Sequence, residues 1–213
     1  MTESQWDACN DPVQMLEFLR GKRRNRKFRL LASAFCRVLG EALKLEPCTR
    51  AAAHAERYAD QVSSRRELRQ VEEQLQIQAS DLAWGRAGLT DKWERATSIA
   101  RWTVSGRSAD SAEYVAKEAA EEDKPIFLLL LRDIMGSPFH TPGIRSEWVV
   151  SNGRNASRMA QAIYDEYMFG DVPILADALE DAGCDNADIL NHLRGPGPHV
   201  RGCWALDLLL GKE

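Results

Sequence analysis

Two thiols and two imidazoles stand close together towards the C-terminal end of the chain: Cys184, His192, His199 and Cys203. Thiolate sulfur and imidazole nitrogen are the ligand types zinc prefers. Their spacing, C-x7-H-x6-H-x3-C, lacks the tight C-x2-C clamp of small zinc modules. A metal centre here therefore requires the chain to fold back at the turn Arg194-Gly195-Pro196-Gly197-Pro198. The competing expectation is that these are ordinary buried side chains, above all Cys184, which follows Gly183 at a helix end. No cofactor is obligatory on this sequence, and zinc at this group is the alternative.

A second group is electrostatic. Arg20, Lys22, Arg23, Arg24, Arg26, Lys27 and Arg29 place seven positive charges in ten residues, a density that attracts phosphate backbones. Only Phe18 and Phe28 flank the run, and both fit an apolar helix stripe. The whole chain carries a net charge of −4, which argues against a general nucleic-acid coat and leaves a local patch open. The alternative is a solvated loop and helix start balanced by nearby acids.

Asp165 with Glu166, and Asp177 with Glu180 or Asp181, are carboxylate pairs that acid–base chemistry can use, and Asp177 shares a helix face with Glu180 and Asp181 at three- and four-residue spacing. Helix surfaces carry such pairs routinely, and nothing else in the sequence marks a pocket around them. Nucleophile and phosphate-cradle motifs are missing: there is no G-x-S-x-G, H-E-x-x-H, P-loop or G-x-G-x-x-G. The prolines of Gly195-Pro196-Gly197-Pro198 remove amide donors that a phosphate loop needs. The reading leans away from an enzyme.

The elements that must position these residues are helical throughout. Asp11-Pro12 is a cap followed by proline at the first helical position, leading through Met15, Leu16 and Leu19 to Gly21. Phe28, Leu31, Ala32, Phe35, Val38, Leu39 and Leu43 then recur at three- and four-residue steps. From Pro47 a long helix or helical hairpin runs to Gly85, with Ser63-Ser64 as its bend and Leu68, Val71, Leu75, Ala79 and Leu82 as its second stripe. Thr90-Asp91 caps a helix that ends at Gly106, and Asp110 to Glu122 forms another. The apolar run Ile126 to Leu131 is a buried helix, far too short to span a bilayer.

Gly136 to Gly153 reads as the longest loop, with a short extended piece at Trp148-Val149-Val150. Helices follow over Ala156 to Phe169, Asp171 to Ala182 and Asn186 to Leu193. The Gly/Pro turn then leads into a last helix from about Cys203 to Leu210, where Val200, Trp204, Leu206 and the Leu208-Leu209-Leu210 run seek apolar cover. Trp93 and Trp102 lie on different sides of their helix, so one of them is either exposed or at an interface, or is covered by a second helix. No alternating strand pattern recurs. The expected fold is all-α: one helical domain, 1–213, a bundle of about eight to ten helices in which 47–85 either folds back or protrudes.

Three segments carry a family resemblance: Asp11-Pro12-Val13-Gln14-Met15-Leu16-Glu17-Phe18-Leu19-Arg20-Gly21-Lys22 with Arg26-Lys27-Phe28-Arg29-Leu30; Leu131-Arg132-Asp133-Ile134-Met135-Gly136-Ser137-Pro138-Phe139; and Pro173 to Glu180 with Arg194-Gly195-Pro196-Gly197-Pro198-His199-Val200-Arg201-Gly202-Cys203-Trp204. On these the chain resembles an uncharacterised family of planctomycete bacterial proteins, while 47–122 carries little of the signature. The resemblance implies a bacterial, cytoplasmic, whole-chain domain. No reaction is assigned to that family, so it implies none here.

The function expected from sequence is a non-enzymatic helical interaction or regulatory module that binds another macromolecule, a protein partner or a second copy. Its argument is the amphipathic helix faces, with the Arg65 to Ala83 stripe placed to zip to a partner helix. Nucleic-acid association through residues 20–29 and zinc binding at the C-terminal group are the alternatives. A membrane role is not expected. The Met1-Thr2-Glu3-Ser4-Gln5-Trp6-Asp7 start lacks a secretory signal, and five scattered cysteines fit reduced thiols in the cytoplasm.

Overall fold

The computed structural model describes residues 1–21, 25–85, 91–105, 108–140 and 142–212, without the side chains of 79–85 and 149–155. Lys22, Arg23, Arg24, Thr90 and Gly106, each given a part in the sequence reading, lie outside the described residues, as do the side chains of Ala79, Leu82, Val149 and Val150. Among the described residues the chain is helices and connecting turns, with no strand. The all-α expectation holds. Two compact units make up the chain, Met1–Leu128 and Leu129–Glu213.

In the first unit a short helix α1 (Glu3–Ala8) opens the chain. Thr2 and Gln5 close a capping box on it, each side chain bonding the other's backbone N–H. The Asp11 carboxylate then accepts from the amides of Val13 (2.9 Å) and Gln14 (3.2 Å) and starts α2 (Pro12–Leu19). Helix α3 (Asn25–Leu43) turns the expected stripe inward, burying Phe28, Leu31, Ala32, Phe35 and Leu39. Lys44 takes a left-handed conformation (φ 52) that reverses the chain into α4 (Glu46–Ala59).

Helices α3 and α4 approach unusually closely, and Gly40 is the reason. A β-carbon there would stand 2.8 Å from Cys48 Cβ and 3.1 Å from the Thr49 amide. Small residues Ala51, Ala52 and Ala55 continue the contact surface of α4, all fully buried. The chain breaks at Asp60–Ser64 through a left-handed Gln61 (φ 60), and Ser64 with Glu67 forms a second capping box at α5 (Arg65–Gly85). The 47–85 segment is therefore a broken pair and no protruding arm over its described part. Leu68, Val71 and Leu75 are buried, and α5 packs on α4 and on α6 (Asp91–Val104). Burying that stripe removes its apolar area from water without a partner chain.

Helix α7 (Ser108–Glu118) completes this unit with the first residues of α8 (Lys124–Met135). Phe127 meets Phe35 edge-on at 5.1 Å. Trp102, on α6, is the exposed tryptophan of its helix, 36% accessible and stacked on Tyr114 of α7 at 4.3 Å.

The second unit contains the rest of α8, α9 (Ser146–Glu166), α10 (Val172–Asp181), α11 (Ala187–Arg194) and α12 (Trp204–Leu210). Here the sequence reading needs correction. Residues 146–153 are the first two turns of α9, and Trp148 lies in a helix, not an extended piece. Its ring is 4% accessible, with the Arg145 guanidinium 5.1 Å from the ring centre, so burial overrides the strand preference of Trp-Val-Val. At the other end Tyr167 turns left-handed (φ 58), and the helix stops at Glu166 rather than at Phe169. Asp171 occupies the cap position of α10, but its side chain makes no capping bond.

The core of this unit joins α9 (Ala156, Ala160, Ile163), α10 (Val172, Leu175, Ala176, Leu179), α11 (Ile189, Leu190, Leu193) and α12 (Ala205, Leu206, Leu209). Asn186 caps α11 by accepting from the Ile189 amide at 3.1 Å. No helix among the described residues is long and apolar enough to cross a membrane.

Candidate metal centre

Four side chains of the second unit converge. Asp133 comes from the last turns of α8, His192 from the last turn of α11, His199 from the turn after it, and Cys203 from the residue that begins α12. One ligand atom from each lies within 4.8 Å of all the others. His199 Nδ1 is 2.8 Å and His192 Nε2 is 3.1 Å from Asp133 Oδ1. His192 Nε2 is 3.2 Å from Cys203 Sγ, and His199 Nδ1 is 4.0 Å from it. Four donors at zinc's usual bond lengths stand roughly 3.3–3.8 Å apart in a tetrahedron. The observed separations straddle that range.

Three of the four residues named from sequence thus meet: His192, His199 and Cys203. Cys184 does not join them. It is buried among the apolar side chains of the unit, and burial pushes its thiol above the ordinary range. Asp133 takes the fourth place. It stands 66 residues before His199, so no local spacing could have joined them. In the sequence it stands just after the apolar Ile126–Leu131 run, with no other ligand type beside it.

The backbone explains why they meet. Gly136 ends α8 with φ +61, and the Trp204 ring packs directly over it, with Cγ 2.9 Å from where a β-carbon would stand. That contact sets α12, and with it Cys203, against the end of α8. The Val200 amide donates to Asp133 Oδ2 at 3.1 Å and ties down the intervening turn, where Gly197 has φ +74. Arg201 holds the other side, over the rings of Tyr164 (4.5 Å) and Tyr167 (5.1 Å), and it donates to the Tyr167 hydroxyl at 2.8 Å. Cys203 is buried and Leu206 and Leu209 lie in the core, while Pro196 is exposed and residues 197–201 are half-buried, and the turn carries a polar cluster with it.

The electrostatics of that cluster are unusual. Asp133 and Cys203 are almost wholly buried, at 4% and 0% accessible. Burial alone would raise the Asp133 carboxyl, yet hydrogen bonds from His192 and His199 hold it below its ordinary range. Cys203 goes the other way: burial and the charge of Asp133 push its thiol well above the usual value. A nucleophilic cysteine needs a lowered pKa and access to substrate, and Cys203 has neither. His199 Nε2 is buried without a hydrogen-bond partner among the described residues.

The other candidates take different places. Arg20 is paired with Asp110 and Glu113, Arg26 with Asp60 at 2.8 Å, and Lys27 and Arg29 are buried on α3. Asp177 and Glu180 are exposed and share one partner, Arg194, at 2.8 and 2.5 Å, the arrangement of a surface ion pair. Asp165 accepts from Gln161 at 2.7 Å on the exposed face of α9. No family model, curated protein or solved structure matches the chain.

Proposed function

We propose that the second unit binds one transition-metal ion, zinc first among them, through Asp133, His192, His199 and Cys203, and that the chain is a non-enzymatic helical module closed by this structural metal. The observation that carries this is the convergence of four ligand atoms, one from each side chain, on one small volume. The donor set fits the ion. Carboxylate oxygen, two imidazole nitrogens and a sulfur are all zinc ligands, and four protein donors leave no open position, the mark of a structural rather than a catalytic site. A divalent cation also resolves the clash of a carboxylate beside a buried sulfur. Its physical effect would be to lock the end of α8, the end of α11 and the start of α12 together.

A cytoplasmic setting belongs to the same reading. The five cysteines are buried and none is in a disulfide, and Cys203 ligates only as a reduced thiol. We further propose that the chain belongs with the planctomycete family it resembles; the Arg194–Trp204 segment of that resemblance contains His199 and Cys203.

Metal analysis of protein purified without chelator tests the reading. The expected result is close to one zinc per chain, with a thiolate charge-transfer band when cobalt(II) replaces it. His192→Ala, at the most accessible of the four ligands, is expected to lose the metal while keeping its helical circular dichroism. Metal-free protein of undiminished thermal stability would end the proposal.

A further inference from the structure

We infer that the cleft between the starts of α3, α5 and α7 in the first unit is a binding site for a small phosphorylated ligand, one that presents a diphosphate or similar dianionic group. The cleft has a volume of about 930 Å³, the size range of pockets for nucleotide-sized molecules. Four arginines line it, Arg20, Arg26, Arg29 and Arg65, with Tyr58 and Ser63 between them. Asp110 is the carboxylate in the lining; Arg20 is paired with it and with Glu113, and Arg26 with Asp60, so the positive charge the cleft offers a ligand is that of Arg29 and Arg65.

The charge of Arg29 is held in place. Arg29 is 3% accessible and donates to the Thr103 carbonyl at 2.9 Å, so its guanidinium is fixed rather than waving in solvent. Arg65 also lies against the Tyr58 ring, with the Arg29 and Arg65 guanidiniums 5.2 and 6.0 Å from its centre. Arg65 makes no ion pair among the described residues and repels Arg29, whose pKa burial and this repulsion lower together. An anion between them relieves that repulsion, and guanidinium forks match phosphate oxygens in pairs.

The backbone adds to the same field. Asn25, Arg65 and Ser108 are the first residues of helices 19, 21 and 11 residues long, and all three line the cleft. Each helix start brings amide donors and the positive end of its dipole. The Ser63 hydroxyl oxygen, also in the wall, is buried and has no hydrogen-bond partner among the described residues. A long nucleic acid is the weaker fit, because Arg29 is recessed in a cleft and a polymer backbone needs charges spread along an open surface.

Titration calorimetry of the full chain at low salt, with inorganic phosphate, pyrophosphate and adenosine diphosphate as probes, tests this. Pyrophosphate is expected to bind more tightly than phosphate; a further gain with the nucleotide identifies a nucleotide ligand, and equal affinity identifies the diphosphate group as what is read. Arg65→Ala is expected to weaken pyrophosphate binding about ten- to a hundredfold, with Arg65→Lys in between. Arg65 is part-exposed at a helix start, so both variants should keep the parent melting temperature, and circular dichroism checks that they do. Absence of heat with all three probes overturns the inference. So does an affinity indifferent to Arg65, or a single-stranded RNA that binds more tightly than pyrophosphate and gains affinity with length.

Discussion

Asp133 is the residue on which the second unit turns, because it faces both imidazoles and the Val200 amide at once. Asp133→Asn keeps the shape and removes the charge. The neutral amide is a poor zinc ligand, so the variant should bind zinc at least tenfold more weakly in a competition titration with a chromophoric chelator. Gly136, three residues on, tests the scaffold rather than the ligands. Gly136→Ala adds a methyl group 2.9 Å from Trp204 Cγ at a φ of +61, where side chains are strained. Strain and overpacking together should cost about 2–4 kcal/mol in urea unfolding, and zinc affinity should fall with them because Cys203 adjoins Trp204. At this scale the sequence was half legible. His192, His199 and Cys203 declared themselves by type and nearness, whereas Cys184 had the same credentials and is a core thiol. Ligand chemistry can be read from residue types; ligand direction depends on which face of a helix packs inward, and Asp133 entered through a contact that only the tertiary fold creates.

At the scale of elements, the same comparison separates local from non-local causes. The start of α2 was legible because Asp11 and Pro12 act within one turn, and the α3 stripe because its period is the helix's own. Helix α1 gave no such period: its one buried residue is Trp6, and its stability lies in the Thr2–Gln5 box. The first turns of α9 were hidden because Trp-Val-Val favours a strand locally and the burial of Trp148 decides otherwise. Helix pairing shows the same dependence at Gly40, which sequence alone marks as a weak helix residue. Gly40→Ala would ordinarily strengthen an exposed helix by up to about 1 kcal/mol. Here its β-carbon meets Cys48 Cβ at 2.8 Å, and neither α3 nor α4 can withdraw without opening the Ala51–Ala55 contact. The substitution should therefore destabilise by about 1–3 kcal/mol. Gly170→Ala, with nothing within 4 Å, should stay within about 0.5 kcal/mol of the parent in the same denaturation series.

For the whole molecule, charge and chemistry are segregated. The four arginines of the cleft belong to Met1–Leu128, and the four residues of the metal centre belong to Leu129–Glu213. The overall charge of −4 hides this division, since it averages a cationic pocket with acidic helix surfaces. Two ligands that share no residue and no hydrogen-bond partner should act additively on stability. Each shifts unfolding by mass action, and a ligand at a hundred times its dissociation constant contributes about 2.7 kcal/mol. Zinc loading should accordingly leave pyrophosphate affinity unchanged within a factor of about two, and Arg65→Ala should leave zinc stoichiometry at its parent value. Calorimetry on chelator-treated and zinc-loaded protein measures the first, and metal analysis of the variant measures the second. A coupling above about 1 kcal/mol in either direction would mean that one ligand redistributes conformations on which the other depends. The two sites share no residue through which such a coupling could pass directly, and α8 has residues in both units.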